Sequence, residues 1–179
     1  EGELVRKIAN MFDEYQSLEI SKHVSRTMKE NARQGFWNGG VPPFGYRTYE
    51  ACSRGDRIKK RLEIDPMEAD EARLIYRLYL EGDGINGPMG VGKIAKWLNH
   101  NAHLRRTKHW TVGLVHRVLT DRLYVGERTF RKDEMSDEKI IIPVPPIVNE
   151  SLFQRVQQKL RTHNRLKTAP RKINSPVLL

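Results

Sequence analysis

Apolar positions fall into several periodic stretches separated by polar or glycine-rich segments. Between residues 3 and 34, Leu4, Ile8, Met11, Tyr15 and Leu18 recur at a 4-3-4-3 spacing, which keeps one stripe on one helical face. The stripe then shifts to Ile20, Val24 and Met28, and no proline or glycine intervenes until Gly35 supplies a stop. The pattern predicts one helix of roughly 30 residues, about 45 Å long at 1.5 Å per residue. The stretch from Gly35 to Phe44, with its glycines and paired prolines, is incompatible with a helix. Gly45–Tyr49 and Leu62–Ile64 read as short strands of a hairpin around a basic loop, Ser53–Arg61. Asp65 as N-cap, Pro66 as first helical residue and Glu68 closing a capping box start a helix that runs to about Leu80. Its inward face is Ala69, Ala72, Ile75, Tyr76 and Tyr79, and Gly82 ends it.

Two shorter helices follow. Val91, Ile94, Ala95 and Leu98 stand at i, i+3, i+4 and i+7. A polar turn from Asn99 to Leu104 leads through Arg105-Arg-Thr-Lys-His109 to a helix capped by Thr111 and ending near Leu119. Val112, Val115, Val118 and Leu119 are expected inward, and Gly113, His116 and Arg117 outward. Tyr124–Thr129 and Ile140–Val144 read as strands. Asn149 caps a last helix to about Asn164, with Leu152, Phe153, Val156 and Leu160 apolar, and the tail carries little apolar character until Val177-Leu-Leu179. The fold class is therefore α+β and mostly helical.

Charge changes this picture most. The 179 residues carry 32 Lys and Arg against 22 Asp and Glu, a formal charge of +10. Residues 1–19 are net −3, residues 21–34 net +3, residues 99–132 net +6 and residues 150–179 net +6. Three basic runs around a helical core point to a polyanion, nucleic acid before an anionic membrane surface. No apolar run is long enough to span a bilayer. A single cysteine, Cys52, excludes an internal disulfide framework and a Cys-rich zinc site, and is natural to a reducing compartment. His100 and His103 are three apart, without a cysteine or clear carboxylate partner, so no metal site and no cofactor is expected. Gly82-x-Gly84-x-x-Gly87 matches a dinucleotide-binding pattern, but a helix precedes it and Pro88 follows, so the context is wrong. No serine sits in a nucleophile motif and no paired carboxylates occupy an apolar setting; no catalytic residue is expected in this chain.

Two short helices joined by a polar turn, the second flanked by bases, form a helix-turn-helix arrangement. Plain packing of two helices is the alternative, which the local charge disfavours. The second helix would face the major groove, His116 and Arg117 reaching bases or phosphates. Arg105, Arg106 and Lys108 precede it, where phosphates commonly lie, and Thr111 and Arg122 flank it.

The ordered set Pro42-Pro-Phe-Gly-Tyr-Arg47, Leu62-x-x-Asp65-Pro-x-Glu68-Ala69, Ile94-Ala-x-x-Leu98-Asn99, Trp110 with Val115-x-x-Val118-Leu119, Tyr124-x-Gly126, and Pro146-Ile-Val148 with Phe153-x-x-Val156-Gln157 resembles the DNA-binding region of the large serine recombinases. The likeness extends over nearly the whole chain. It implies that residues 1–34 end a helix connecting to a separate catalytic domain, that 35–130 form the DNA-binding domain, and that 131–179 lead into a zinc ribbon whose cysteines lie beyond this chain. It implies a cytoplasmic protein of a mobile element, binding half of an attachment site in double-stranded DNA. Other recombinase subunits would be its partners, a dimer on each site and a tetramer at synapsis. Arg33 to Arg47 would follow the minor groove, as arms do in related DNA binders. A transcription regulator of winged-helix type is the alternative. The long first helix and the family pattern argue against it.

Overall fold

The computed structural model describes residues 2–54, 57–103, 105–106, 108–130 and 140–167. The sequence readings at Arg131, Lys132 and the tail around Val177-Leu-Leu179 lie outside these. Among the described residues, five helices and two small antiparallel sheets follow one another as α1 (Gly2–Arg33), β1 (Tyr46–Arg54), β2 (Arg57–Ile64), α2 (Pro66–Leu80), α3 (Val91–His100), α4 (Val112–Thr120), β3 (Glu127–Phe130), β4 (Ile140–Pro143) and α5 (Glu150–Lys167). A 3₁₀ turn, Arg122–Val125, lies between α4 and β3. The expected α+β, mostly helical class is the one observed.

α1 forms as its periodicity requires and ends where glycine permits. Gly35 takes φ +78°, its N–H donates to the Ala32 carbonyl, and the Phe36 N–H donates to the Asn31 carbonyl. This pair of bonds is the Schellman closure, satisfying carbonyls that the helix end would otherwise orphan. At 32 residues the helix is about 48 Å long. Its only buried residue is Ala32, so Leu4, Ile8, Met11, Tyr15 and Leu18 all face outward, uncovered by the described residues.

The hairpin is longer than expected. β1 and β2 pair from Tyr46 opposite Ile64 to Arg54 opposite Arg57, with a bulge between Glu50 and Cys52. The segment read as a basic loop is therefore mostly strand, because the backbone ladder continues where side-chain alternation has faded. Tyr46 and Leu62 anchor its base in the core.

α2 is the central helix, packing against α3, α4 and α5. The Asp65 carboxylate accepts from the Met67 and Glu68 N–H groups, as expected of an N-cap. The capping box does not close. The Asp65 N–H is already spent on the Gly45 carbonyl, and the Glu68 carboxylate instead accepts from the Gly45 N–H and from Arg106. Ala69, Ala72, Ile75, Tyr76, Leu78 and Tyr79 are buried on its inward face. Three of the four core tyrosines place their hydroxyls on backbone carbonyls of other segments. The Tyr76 hydroxyl donates to the Val118 carbonyl at 2.9 Å, the Tyr124 hydroxyl to the Phe44 carbonyl at 2.9 Å, and the Tyr46 hydroxyl lies within hydrogen-bond reach of the Leu123 and Pro145 carbonyls. Burial pushes all three phenols well above their ordinary titration range.

Residues between Ile140 and Leu160 contribute to this same core. β4 pairs with β3 from Glu127 opposite Pro143 to Phe130 opposite Ile140. Ile142, Val144, Ile147, Val148, Phe153 and Val156 are buried within the one apolar cluster.

Candidate nucleic-acid interface

The α3–α4 pair is held by its turn. Asn99, near the end of α3, donates from its side-chain amide to the Trp110 carbonyl at 2.9 Å and accepts from the Trp110 N–H at 2.7 Å. Both polar groups of one backbone residue are thus satisfied by one side chain, which fixes where α4 begins. The turn is tightened by reciprocal backbone bonds between Arg105 and Lys108. Thr111 caps α4, its hydroxyl accepting from the Leu114 N–H at 3.3 Å. Val115, Val118 and Leu119 face inward, and Trp110 packs edge-on against Phe44 with ring centroids 4.9 Å apart. Within the turn, His103 Nδ1 lies 2.8 Å from the Glu71 carboxylate and its ring stacks on Trp97. Among the described residues, no group of three or more His, Cys, Asp or Glu is placed to hold a metal ion.

The outer face of α4 carries Thr111, Val112, Gly113, His116 and Arg117, all exposed. Gly113, His116 and Arg117 were expected there. Val112 was expected inward and is instead 56% exposed, because Leu114 and Val115 occupy the inward positions of that turn. Lys108 and His109 are also exposed, at the approach to the helix.

Arg105, Arg117 and Arg122 come together with Arg128 along a cleft of about 680 Å³ between the Val41–Phe44 segment and the α4–β3 connection. They differ in how far they are already engaged. Arg117 is 77% exposed in its side chain and lies 4.0 Å from Asp121, so it is available to a ligand. Arg122 forms ion pairs with Glu127 at 2.7 Å and Glu150 at 3.7 Å, the Glu127 hydrogen bond raising its guanidinium further above its ordinary value.

Arg106 was expected beside phosphate. The structure turns it inward. Its guanidinium pairs with both Glu68 oxygens and donates to the carbonyls of Pro42, Pro43 and Tyr46. Residue 106 adopts φ +45°, a backbone setting that directs this side chain back toward the core while Arg105 remains in the cleft. Arg106 is thus a strut holding the wall of the cleft. Arg33 ends α1, and Arg47 pairs with Glu63 across the hairpin at 2.7 Å. These two stand on elements apart from the α3–α4 pair.

Arg128 escaped sequence reasoning. Its guanidinium lies 3.7 Å from the centroid of the Trp37 ring, a cation–π contact, and burial lowers its pKa from the usual arginine value. Trp37 also donates its backbone N–H to the Lys60 carbonyl, so this stack ties the segment after α1 to both small sheets. Nothing local in sequence signals a pairing between residues so far apart along the chain.

Residues 66–163 match the Recombinase family, and the chain belongs to it, as the resemblance in its sequence indicated. No curated protein sequence matches the chain. Among solved structures, it is similar to a chain from a crystal structure of an LSR–DNA complex, at 22% identity and a TM-score of 0.54, over 84% of this chain and 43% of that one. It is likewise similar to a chain solved in work on the sequence requirements of the Listeria innocua prophage attP site, at 22% identity and a TM-score of 0.53, over 78% of this chain and 51% of that one. The chain therefore spans about half the length of those proteins or less, and what it shares with them is the fold. No helix among the described residues is long and apolar enough to cross a membrane.

Proposed function

We propose that this chain is the duplex-DNA-reading part of a large serine recombinase, that it binds half of an attachment site, and that strand cleavage resides in a domain outside these residues. The observation that carries the reading is the α4 outer face. It projects polar and cationic side chains from a rigidly capped helix, beside a cleft lined by further arginines. A helix-turn-helix unit uses such a face to enter the major groove, while flanking cations neutralise phosphates. The solved structures with this fold include a complex with DNA. In the parent protein, other recombinase subunits complete a dimer on each site and a tetramer at synapsis, and the outward stripe of α1 lies on the side toward the catalytic domain. Residues 1–34 then serve as the connecting helix. Residues 140–167 close the DNA-binding core before the following domain.

Arg117→Ala and Arg105→Ala, titrated against duplexes selected by the chain and against scrambled duplexes at several salt concentrations, test the reading. Loss of an Arg117 contact to a guanine edge costs about 1–3 kcal/mol on the selected duplex and relaxes preference at one base pair. Loss of an Arg105 phosphate contact weakens all duplexes alike and flattens the log–log salt slope by about 0.9. Unchanged affinity of both variants for both duplexes would rule out α4 and its approach as the reading element.

A further inference from the structure

The first two residues of α4 are poor helix formers, and neither belongs to the core. Val112 is β-branched and 56% exposed, with its neighbours Thr111 and Gly113 also exposed. Gly113 is among the least favourable helix residues. A Cβ built on it meets nothing within 4 Å, and its φ is not in the left-handed region, so neither crowding nor backbone conformation demands glycine. The N-terminus of α4 is already secured by the Thr111 cap, and the inward positions are filled by Leu114 and Val115. Two adjacent residues that work against local stability without a packing return mark a place where something outside the fold must come close. They lie in the first turn of the helix, the part that reaches deepest when such a helix enters a major groove.

We propose that Val112 is a specificity-determining residue that reads thymine: its isopropyl group packs on the C5-methyl of a thymine in the major groove, and Gly113, lacking a side chain, lets that base edge approach the helix. Among the four bases of unmodified DNA only thymine presents a methyl group in this groove, and apolar side chains are its natural partners. His116, one turn further along the same outer face, would then lie over an adjacent step. The inference rests on the duplex reading by α4 proposed above.

The test begins with selection of duplexes by the full chain from a random library. Each enriched thymine is then replaced singly by deoxyuridine, which keeps base pairing and removes only the methyl group. One replacement is expected to weaken binding about fourfold, the effect of one methyl leaving an apolar contact. Val112→Ala should narrow the preference for thymine over uracil, since alanine keeps only one methyl against the base. Gly113→Ala should raise the thermal midpoint, since alanine favours helix, while weakening the selected duplex; a merely structural glycine would not separate the two readouts in this way. The inference is overturned by itself when Arg117→Ala weakens the selected duplex but no uracil replacement does, or when Val112→Ala retains the wild-type preference for thymine over uracil. Failure of the chain to enrich any duplex overturns the α4 reading, and the thymine contact with it.

Discussion

Replacing Arg106 with alanine separates an arginine that holds the fold from one that holds DNA. The wild-type guanidinium has 31% of its side chain exposed and its Glu68 partner 16%, so the pair is largely withdrawn from solvent. Removing one member leaves the carboxylate, among the described residues, with the Gly45 N–H at 2.8 Å, and frees the carbonyls of Pro42, Pro43 and Tyr46. Breaking a buried ion pair by deleting one partner costs about 3–5 kcal/mol. Since this pair keeps some access to water, about 3 kcal/mol is expected, a large share of the roughly 5–15 kcal/mol that stabilises a typical domain. Urea unfolding followed by tryptophan fluorescence reads the loss directly, because Trp37 and Trp110 flank the cleft wall that Arg106 supports. The double variant Arg106→Ala, Glu68→Gln should lose less than the sum of the single changes, since a neutral amide tolerates the vacated site better than a stranded carboxylate. Arg105→Ala, half-buried and with no charged partner among the described residues, should stay within about 0.5 kcal/mol of wild type. If Arg106→Ala unfolded at the wild-type urea concentration while losing affinity for all duplexes, the strut assignment would be wrong and phosphate contact would be its role.

Gly82→Ala should destabilise by about 2–3 kcal/mol, because residue 82 sits at φ +94° and a Cβ there would lie 2.1 Å from the Asn86 carbonyl oxygen, a backbone atom that cannot swing aside; an unchanged thermal midpoint would refute this. Stability should also fall as pH rises above about 10, the ordinary tyrosine pKa. The folded-state pKa values of Tyr46, Tyr76 and Tyr124 are raised by burial, so the stabilising difference is complete below the unfolded-state pKa and is lost once unfolded phenols ionise. A urea midpoint that is flat from pH 9 to pH 11 would contradict that sign.

Much of the architecture was legible along the chain because it depends on short-range signals. The α1 stripe, the Gly35 stop, the Asp65-Pro66 start, the Thr111 cap and the periodic faces of α2 and α3 each involve residues within a turn or two of one another, where helical geometry dictates who meets whom. The ordered motifs likewise sufficed to place the chain in its family. Strand extents were less legible. β1 and β2 run to the tip of the hairpin because each residue gains a partner across the ladder, a gain invisible in either strand alone. The position of β4 and α5 in the same core as α2 also required the tertiary fold.

The candidate site divides in the same way. Composition and spacing concentrated positive charge around α4 and identified His116 and Arg117 as outward residues. They did not distinguish Arg105 from Arg106, which are adjacent and chemically identical. Only the folded chain brings Glu68 and the carbonyls of Pro42, Pro43 and Tyr46 to one of them, and Trp37 to Arg128. Val112 was turned outward by the same kind of decision, since helical phase alone leaves a boundary residue ambiguous until its neighbours claim the interior. A charged side chain's local sequence states that it carries charge; whether that charge is spent inside or offered outside depends on partners tens of residues away, and burial settles it.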